Sequence, residues 1–177
     1  LVQVLPVNDT LANMNWQDCY PYAAISVFAL HPLYLNVEAI GPFKDKKIAA
    51  RYQKELLAAN ELDAVDFERV LQLKFEFLRL LFEQKKADFY KDVVVQKFID
   101  DNRDWLIPYA LFCHFRDQHQ TCNYEQWGAL SDFSTVDLST WYHAKHKDFD
   151  AISFYIFLQY HAHLQLSEAR AYAVANQ

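Results

Sequence analysis

Only two glycines, Gly41 and Gly128, occur in 177 residues, where average usage of roughly 7 % would give about a dozen. Glycine supplies the positive-φ corners of tight hairpins and the backbone of phosphate-binding loops. So small a supply argues against a β-sandwich or a complete doubly wound fold. It also leaves no room for a GxGxxG turn or a P-loop. Helices need few glycines, so a mainly α chain is expected.

A length of 177 residues suits one domain or slightly more and can bury a sizeable core. The chain is 53% hydrophobic and 16% aromatic, too apolar for disorder. A net charge of -6 with no offsetting basic stripe argues against a nucleic-acid partner. No apolar run reaches about 18 residues, so no membrane span is expected. No basic segment precedes the opening apolar run, so no signal peptide is expected. Cys19, Cys113 and Cys122 are odd in number and irregularly spaced, which suits reduced thiols in a cytoplasmic protein. The first residue is Leu1 rather than Met, as in an excerpt of a longer chain.

Residues 1–7, LVQVLPV, are apolar on both faces, the pattern of a strand in a parallel sheet, with Pro6 near its end. Such a strand has no partner in the rest of the sequence, so its neighbours are expected outside this chain. Residues 8–22 form a polar, aromatic loop. Pro32 divides 23–35 into a short helix and an extended piece, and Gly41-Pro42 marks a turn. From about 44 to 120 the pattern is helical. Arg69, Gln72, Glu76, Arg79 and Glu83 make one solvated stripe, opposite Val70, Leu73, Phe77, Leu80 and Leu81. Asn102 is placed to cap the next helix, and Pro108 either sits in that helix's first turns or starts a new one. Asn123 with Gln126 has capping-box form, and Ser134 with Asp137 opens a helix to about Ala144. Asp150 is placed to cap a last helix over roughly 151–175, whose start, AISFYIFLQY, should be buried.

Several residues could carry chemistry. Asp9 and Asp18 lie in the loop after the expected strand, where barrel folds collect function. Two carboxylates could serve glycoside cleavage, but turn and cap duty explains them more simply. Trp16, Tyr20 and Tyr22 could stack on sugar rings or simply pack. Cys113, His119 and Cys122 lack a metal-site spacing. His161 and His163 point to different helix faces, whereas His143 and His146 could meet on one. No metal site and no cofactor are expected.

The stretch "LPVNDT…W.D.YPY..ISVFALHPLYL" resembles the start of the catalytic domain of the 4-alpha-glucanotransferases of glycoside hydrolase family 77. The likeness is to the longer branch, which includes the plant cytosolic enzyme and Bacteroides-type homologues. It continues through WLIPYALFCHFRD, QWGALSDF and FYIFLQYHAHLQLSEARAYA, covering nearly the whole chain. The resemblance implies a fragment of a (β/α)8 barrel with one N-terminal strand and a large helical insertion. Residues 1–40 would be barrel strand and active-site loop, 41–150 a helical insertion subdomain, and 151–177 a barrel-packing helix. It further implies retaining transfer of α-1,4-glucan segments between malto-oligosaccharides or glycogen and starch chains. The acidic triad would lie downstream, leaving no catalytic residue here and the fragment alone inactive. Tyr22 matches the family tyrosine that contacts sugar beside the scissile bond. Tyr20 stands where the short enzymes have the serine of SPY, and Ala23-Ala24 replace their QS. Asn8, Asp9 and Asp18 are implied loop-shaping or rim residues, with Trp16 beside them. The implied partners are an α-glucan, the remainder of the barrel and, through exposed apolar surface, other copies of the chain. A helical interaction module and a lone glycan-binding domain are the alternative readings.

Overall fold

The computed structural model describes residues 3–132 and 135–176. Among them the regular structure is helical: α1 Val37–Ile40, α2 Lys46–Asn60, α3 Phe67–Phe89, α4 Val93–Asp101, α5 Arg103–His119, α6 Leu138–Trp141 and α7 Phe149–Ala175. Short 3₁₀ turns cover Trp16–Cys19, Pro32–Tyr34, Tyr124–Gln126 and Gly128–Leu130.

Carboxylate and amide side chains start most helices by accepting the first free N–H groups. Asn36, Asp45, Asp66, Asp92 and Asp137 cap α1, α2, α3, α4 and α6 in this way. With so few glycines, a side-chain-bearing residue must close some helices. Gln120 ends α5 in the left-handed region at φ 55°, where glycine usually sits.

The core lies among α3, α4, α5 and α7, and α5 packs most extensively on α7. Residues 152–159 of α7 are all buried, as the all-round apolar pattern requires. Their aromatics interlock edge-to-face, with Phe82 against Phe157 at 5.4 Å and Phe89 against Phe157 at 5.3 Å between ring centroids. On α3 the expected stripe holds: Gln72, Glu76, Arg79 and Glu83 are exposed, Arg69 is half-buried, and Phe77 and Leu81 are fully inside.

Other expectations need correction. Leu1 and Val2 of the expected strand 1–7, and Ser134 of the expected Ser-x-x-Asp start, lie outside the described residues. Residues 3–7 form no strand. The pairing there is an isolated antiparallel bridge between Asn8 and Leu30, flanked by His31 N–H to Val7 O at 2.9 Å. A strand needs a neighbour over several residues, and among the described residues no second extended segment runs alongside for that long. Residues 23–31 are not helical either. α6 ends at Trp141, short of Ala144. Asn102 starts α5 through its backbone carbonyl, while its side-chain oxygen accepts the Trp105 indole N–H. The N-cap of α7 is Asp148, not Asp150. Asp150 instead binds Lys86 at 2.6 Å and the Tyr90 hydroxyl at 2.8 Å, and Lys86 holds its carboxyl below the usual range. Asn123 accepts from Glu125 N–H, one residue earlier than a capping box requires, and starts only a 3₁₀ turn.

A loop fastened by side chains

Residues 8–36 lie over α3, α5 and α7, joined by turns and a few backbone hydrogen bonds of their own, such as Asp9 N–H to Ala29 O and Ile25 N–H to Asp9 O. Buried peptide groups must still be paired, and side chains from the helices do it. The Gln159 amide accepts from Leu30 N–H and donates to Leu30 C=O, both at 2.8 Å. Gln165, six residues further along α7, does the same for Asn36 at 2.8 and 2.9 Å. Lys74 donates to the carbonyls of Leu33 and Leu35, and Arg116 donates to Leu11 C=O. Each glutamine amide does what one residue of an adjacent strand would do, while Lys74 and Arg116 supply donors only.

The two acids of the loop are part of this fastening. Asp9 is 1% exposed and accepts the Tyr109 hydroxyl at 2.5 Å and Leu11 N–H at 3.0 Å. Burial pushes its carboxyl above the usual carboxylate range, and the Tyr109 hydrogen bond partly opposes this. Gln159 also donates to the Tyr109 oxygen at 3.2 Å, which joins Asp9 to the clamp on Leu30. Asp18 is 4% exposed and accepts Asn13 N–H, Met14 N–H and the Asn13 side-chain amide at 2.8, 2.6 and 3.2 Å. Those bonds stabilise the turn in which Met14 has φ 59°. Asn8 donates to Val27 C=O at 2.9 Å. All three residues shape the loop, and neither acid faces outward.

Trp16, Tyr20 and Tyr22 are the outward face, at 64%, 60% and 63% exposure. The Tyr20 and Tyr22 rings lie 5.5 Å apart, tilted by 57°. Trp16 is held by its backbone N–H, which donates to Glu68 on α3 at 3.1 Å. The surface is aromatic. It can stack on an apolar ligand face, and the two acids of the loop, Asp9 and Asp18, are buried away from it.

The sequence singled out Asn8, Asp9, Asp18, Trp16, Tyr20 and Tyr22 but missed Tyr109, Arg116, Gln159 and Lys74. One signal was available: Gln159 is the only strongly polar residue in AISFYIFLQY, and a buried amide requires a partner. The thiol of Cys113, fully buried beside Tyr109, is pushed up to about 12 by burial. The structure does not gather Cys113, His119 and Cys122, and Cys122 lies near Asn13 at 3.7 Å. His143 and His146 lie in turns after α6, each accepting a nearby backbone N–H. Among the described residues no three His, Cys, Asp or Glu side chains converge as a metal ion requires. No helix among them is long and apolar enough to cross a membrane.

A family profile described as 4-alpha-glucanotransferase matches residues 1–177. The 4-alpha-glucanotransferase DPE2 of Oryza sativa subsp. japonica is 40% identical over 178 residues, covering 98% of this chain and 18% of the relative. A 4-alpha-glucanotransferase of Chlamydia muridarum is 29% identical, covering 98% of this chain and 31% of its own length. That of Chlamydia caviae is 27% identical, with 99% and 32% covered. The chain thus spans less than a third of these relatives. No solved structure matches it significantly.

Proposed function

This chain belongs to the 4-alpha-glucanotransferase family, glycoside hydrolase family 77, and from that premise we propose that it forms part of the glucan site of an enzyme that moves α-1,4-glucan segments between malto-oligosaccharides or glycogen and starch chains. The observation that supports this is the outward aromatic face of a loop whose acids are all turned inward. Tyr22 stacks on or hydrogen-bonds the sugar beside the cleaved bond, with Tyr20 and Trp16 extending the platform. Asn8, Asp9 and Asp18 hold the loop in shape.

Retaining transfer needs two carboxyl groups about 5–5.5 Å apart across the glycosidic bond, one as nucleophile and one as acid/base. Asp9 and Asp18 are spent on Tyr109, Leu11, Asn13 and Met14. On the family resemblance, the nucleophile and the acid/base are supplied by residues outside this chain. In the same reading 1–40 joins a (β/α)8 barrel, 41–150 is the helical insertion and 151–177 packs on the barrel. Residues 3–7 then become a strand when barrel neighbours pair with them.

Disproportionation of maltotriose, measured with this chain and with a full-length protein containing it, tests the reading. Activity is expected only in the longer protein, falling at least about tenfold in kcat/KM in Tyr22→Ala. Turnover by this chain alone would show that its own carboxylates suffice and would sink the assignment.

A further inference from the structure

Charge is divided along α2 and the turn after it. Residues 44–54 carry five bases, Lys44, Lys46, Lys47, Arg51 and Lys54, against Asp45 alone. Residues 55–68 carry five acids, Glu55, Glu61, Asp63, Asp66 and Glu68, and no base. Part of this charge is used within the chain. Arg51 binds Glu76, Arg69 binds Glu55, Asp45 and Asp66 cap α2 and α3, and Glu68 accepts Trp16 N–H. Among the described residues Lys46, Lys47, Lys54, Glu61 and Asp63 make no ion pair.

These free charges oppose the helix they sit on. A helix favours acids at its N-terminus and bases at its C-terminus. α3 follows this rule, with Glu68 in its first turn and Lys86 in its last. α2 reverses it: Lys46 and Lys47 open the helix and Glu61 is its C-cap. The stability of α2 therefore does not explain their placement. A second helix lying antiparallel would correct it at both ends, because each terminus would meet the opposite terminus of its neighbour.

The outer stripe of α2 is Lys46, Ala50, Gln53, Lys54, Leu57 and Glu61. All six are exposed, Leu57 to 61%, whereas Tyr52 faces the core. The spacings between them are 4, 3, 1, 3 and 4, which read the same in both directions. Such a stripe matches itself about a two-fold axis, as an isologous interface requires. In the matching antiparallel register Lys46 faces Glu61, Ala50 faces Leu57 and Gln53 faces Lys54. The small alanine makes room for the leucine, so the two axes can approach to about 8 Å. A parallel pair would instead set Lys46 against Lys46. α2 has 15 residues and is about 22 Å long, which buries less than the roughly 800 Å² per partner of a standard interface. The pair is therefore weak and forms at micromolar concentration or above.

We propose that α2 is a self-docking face, pairing antiparallel with α2 of a second copy through Lys46–Glu61 contacts at both ends and Leu57 on Ala50 between them. The proposal does not depend on the glucan reading and uses none of its residues.

Sedimentation velocity of the full-length protein from about 1 to 100 µM tests it. Reversible association is expected. Lys46→Glu and Glu61→Lys should each weaken it at least about fivefold, because each sets two like-charged pairs at the interface. The double variant should recover it. So should an equimolar mixture of the two single variants, since each copy then offers the charge that the other lacks. Recovery in the mixture is specific to contact between copies, because a contact within one chain would stay broken. Leu57→Ser should weaken association without recovery, and circular dichroism reports that each variant is folded. A single monomeric boundary across the range overturns the proposal and leaves the stripe to the remainder of the protein or to another partner. Association that neither charge reversal changes, or that the mixture does not recover, places the contact elsewhere and overturns it as well.

Discussion

Gln159 and Gln165 make the same pair of hydrogen bonds in different surroundings. Removing Gln159 leaves both peptide groups of Leu30 unpaired in a part-buried position, and an unmet buried group costs about 1–3 kcal/mol. At Asn36 water replaces the lost amide. Gln159→Leu should therefore lower stability by about 2–4 kcal/mol and Gln165→Leu by less than about 1 kcal/mol, as read from urea midpoints. His161 gives a second residue-scale prediction. It lies against Phe157 at 4.4 Å, and burial, helped by Lys85, lowers its pKa to about 4 from 6.5. Between these values the unfolded chain binds the extra proton. Stability is then fully present above pH 6.5 and lost as pH falls towards 4. The effect is up to about 3 kcal/mol. His161→Leu should flatten this part of the pH–stability curve, leaving the slope from His31 and His114, whose pKa values burial also lowers.

At the scale of elements, the loop is a unit fixed at a few points. Asp9→Ala removes the acceptor of the Tyr109 hydroxyl and of Leu11 N–H. It should cost about 2–4 kcal/mol and speed limited proteolysis within residues 11–25, while α7 stays protected. Unchanged cleavage there would show that the loop does not depend on Asp9. Helices were the legible part of the sequence. The charged stripe of α3 and the apolar start of α7 both write their burial in a 3.6-residue period. Pro108 sits inside α5, beyond the first-turn residues whose N–H groups have no helical partner, so it removes one intrahelical hydrogen bond that the packing must offset. The loop was not legible in this way. Its fastenings join residues 129 positions apart, as between Leu30 and Gln159, and no local period records them. The apolar run 1–7 read as a strand because β pattern predicts a surface that neighbours must complete, and the described residues offer none. Asp9 and Asp18 drew notice for their charge, yet the structure uses them as hydrogen-bond acceptors.

For the whole molecule, the distribution of exposed apolar side chains matters most. Val4, Leu5, Val27 and Phe28 lie bare on the loop side, and Leu164, Leu166, Tyr172 and Val174 on the outer half of α7. With 27 residues, α7 runs about 40 Å, buried at its start and exposed towards its end. Contiguous apolar surface drives association. This chain should sediment faster as concentration rises from about 1 to 100 µM, and Val27→Ser/Phe28→Ser should reduce the effect. A single monomeric boundary across that range would show that these surfaces are too dispersed to pair.

The amide clamps of α7 have an evolutionary corollary. A sheet edge constrains every residue it pairs, because each peptide must keep its place in the ladder. Within the loop Gln159 and Gln165 grip Leu30 and Asn36, and they grip main-chain atoms that every amino acid but proline possesses. Between Cys19 and Ala24, after the turn fixed by Asp18 and before Ile25 and Ser26 rejoin the loop, the segment can exchange side chains without disturbing either clamp. The helices then act as a fixed socket for an interchangeable part, and new ligand preferences can be tried in that part at little risk to the fold.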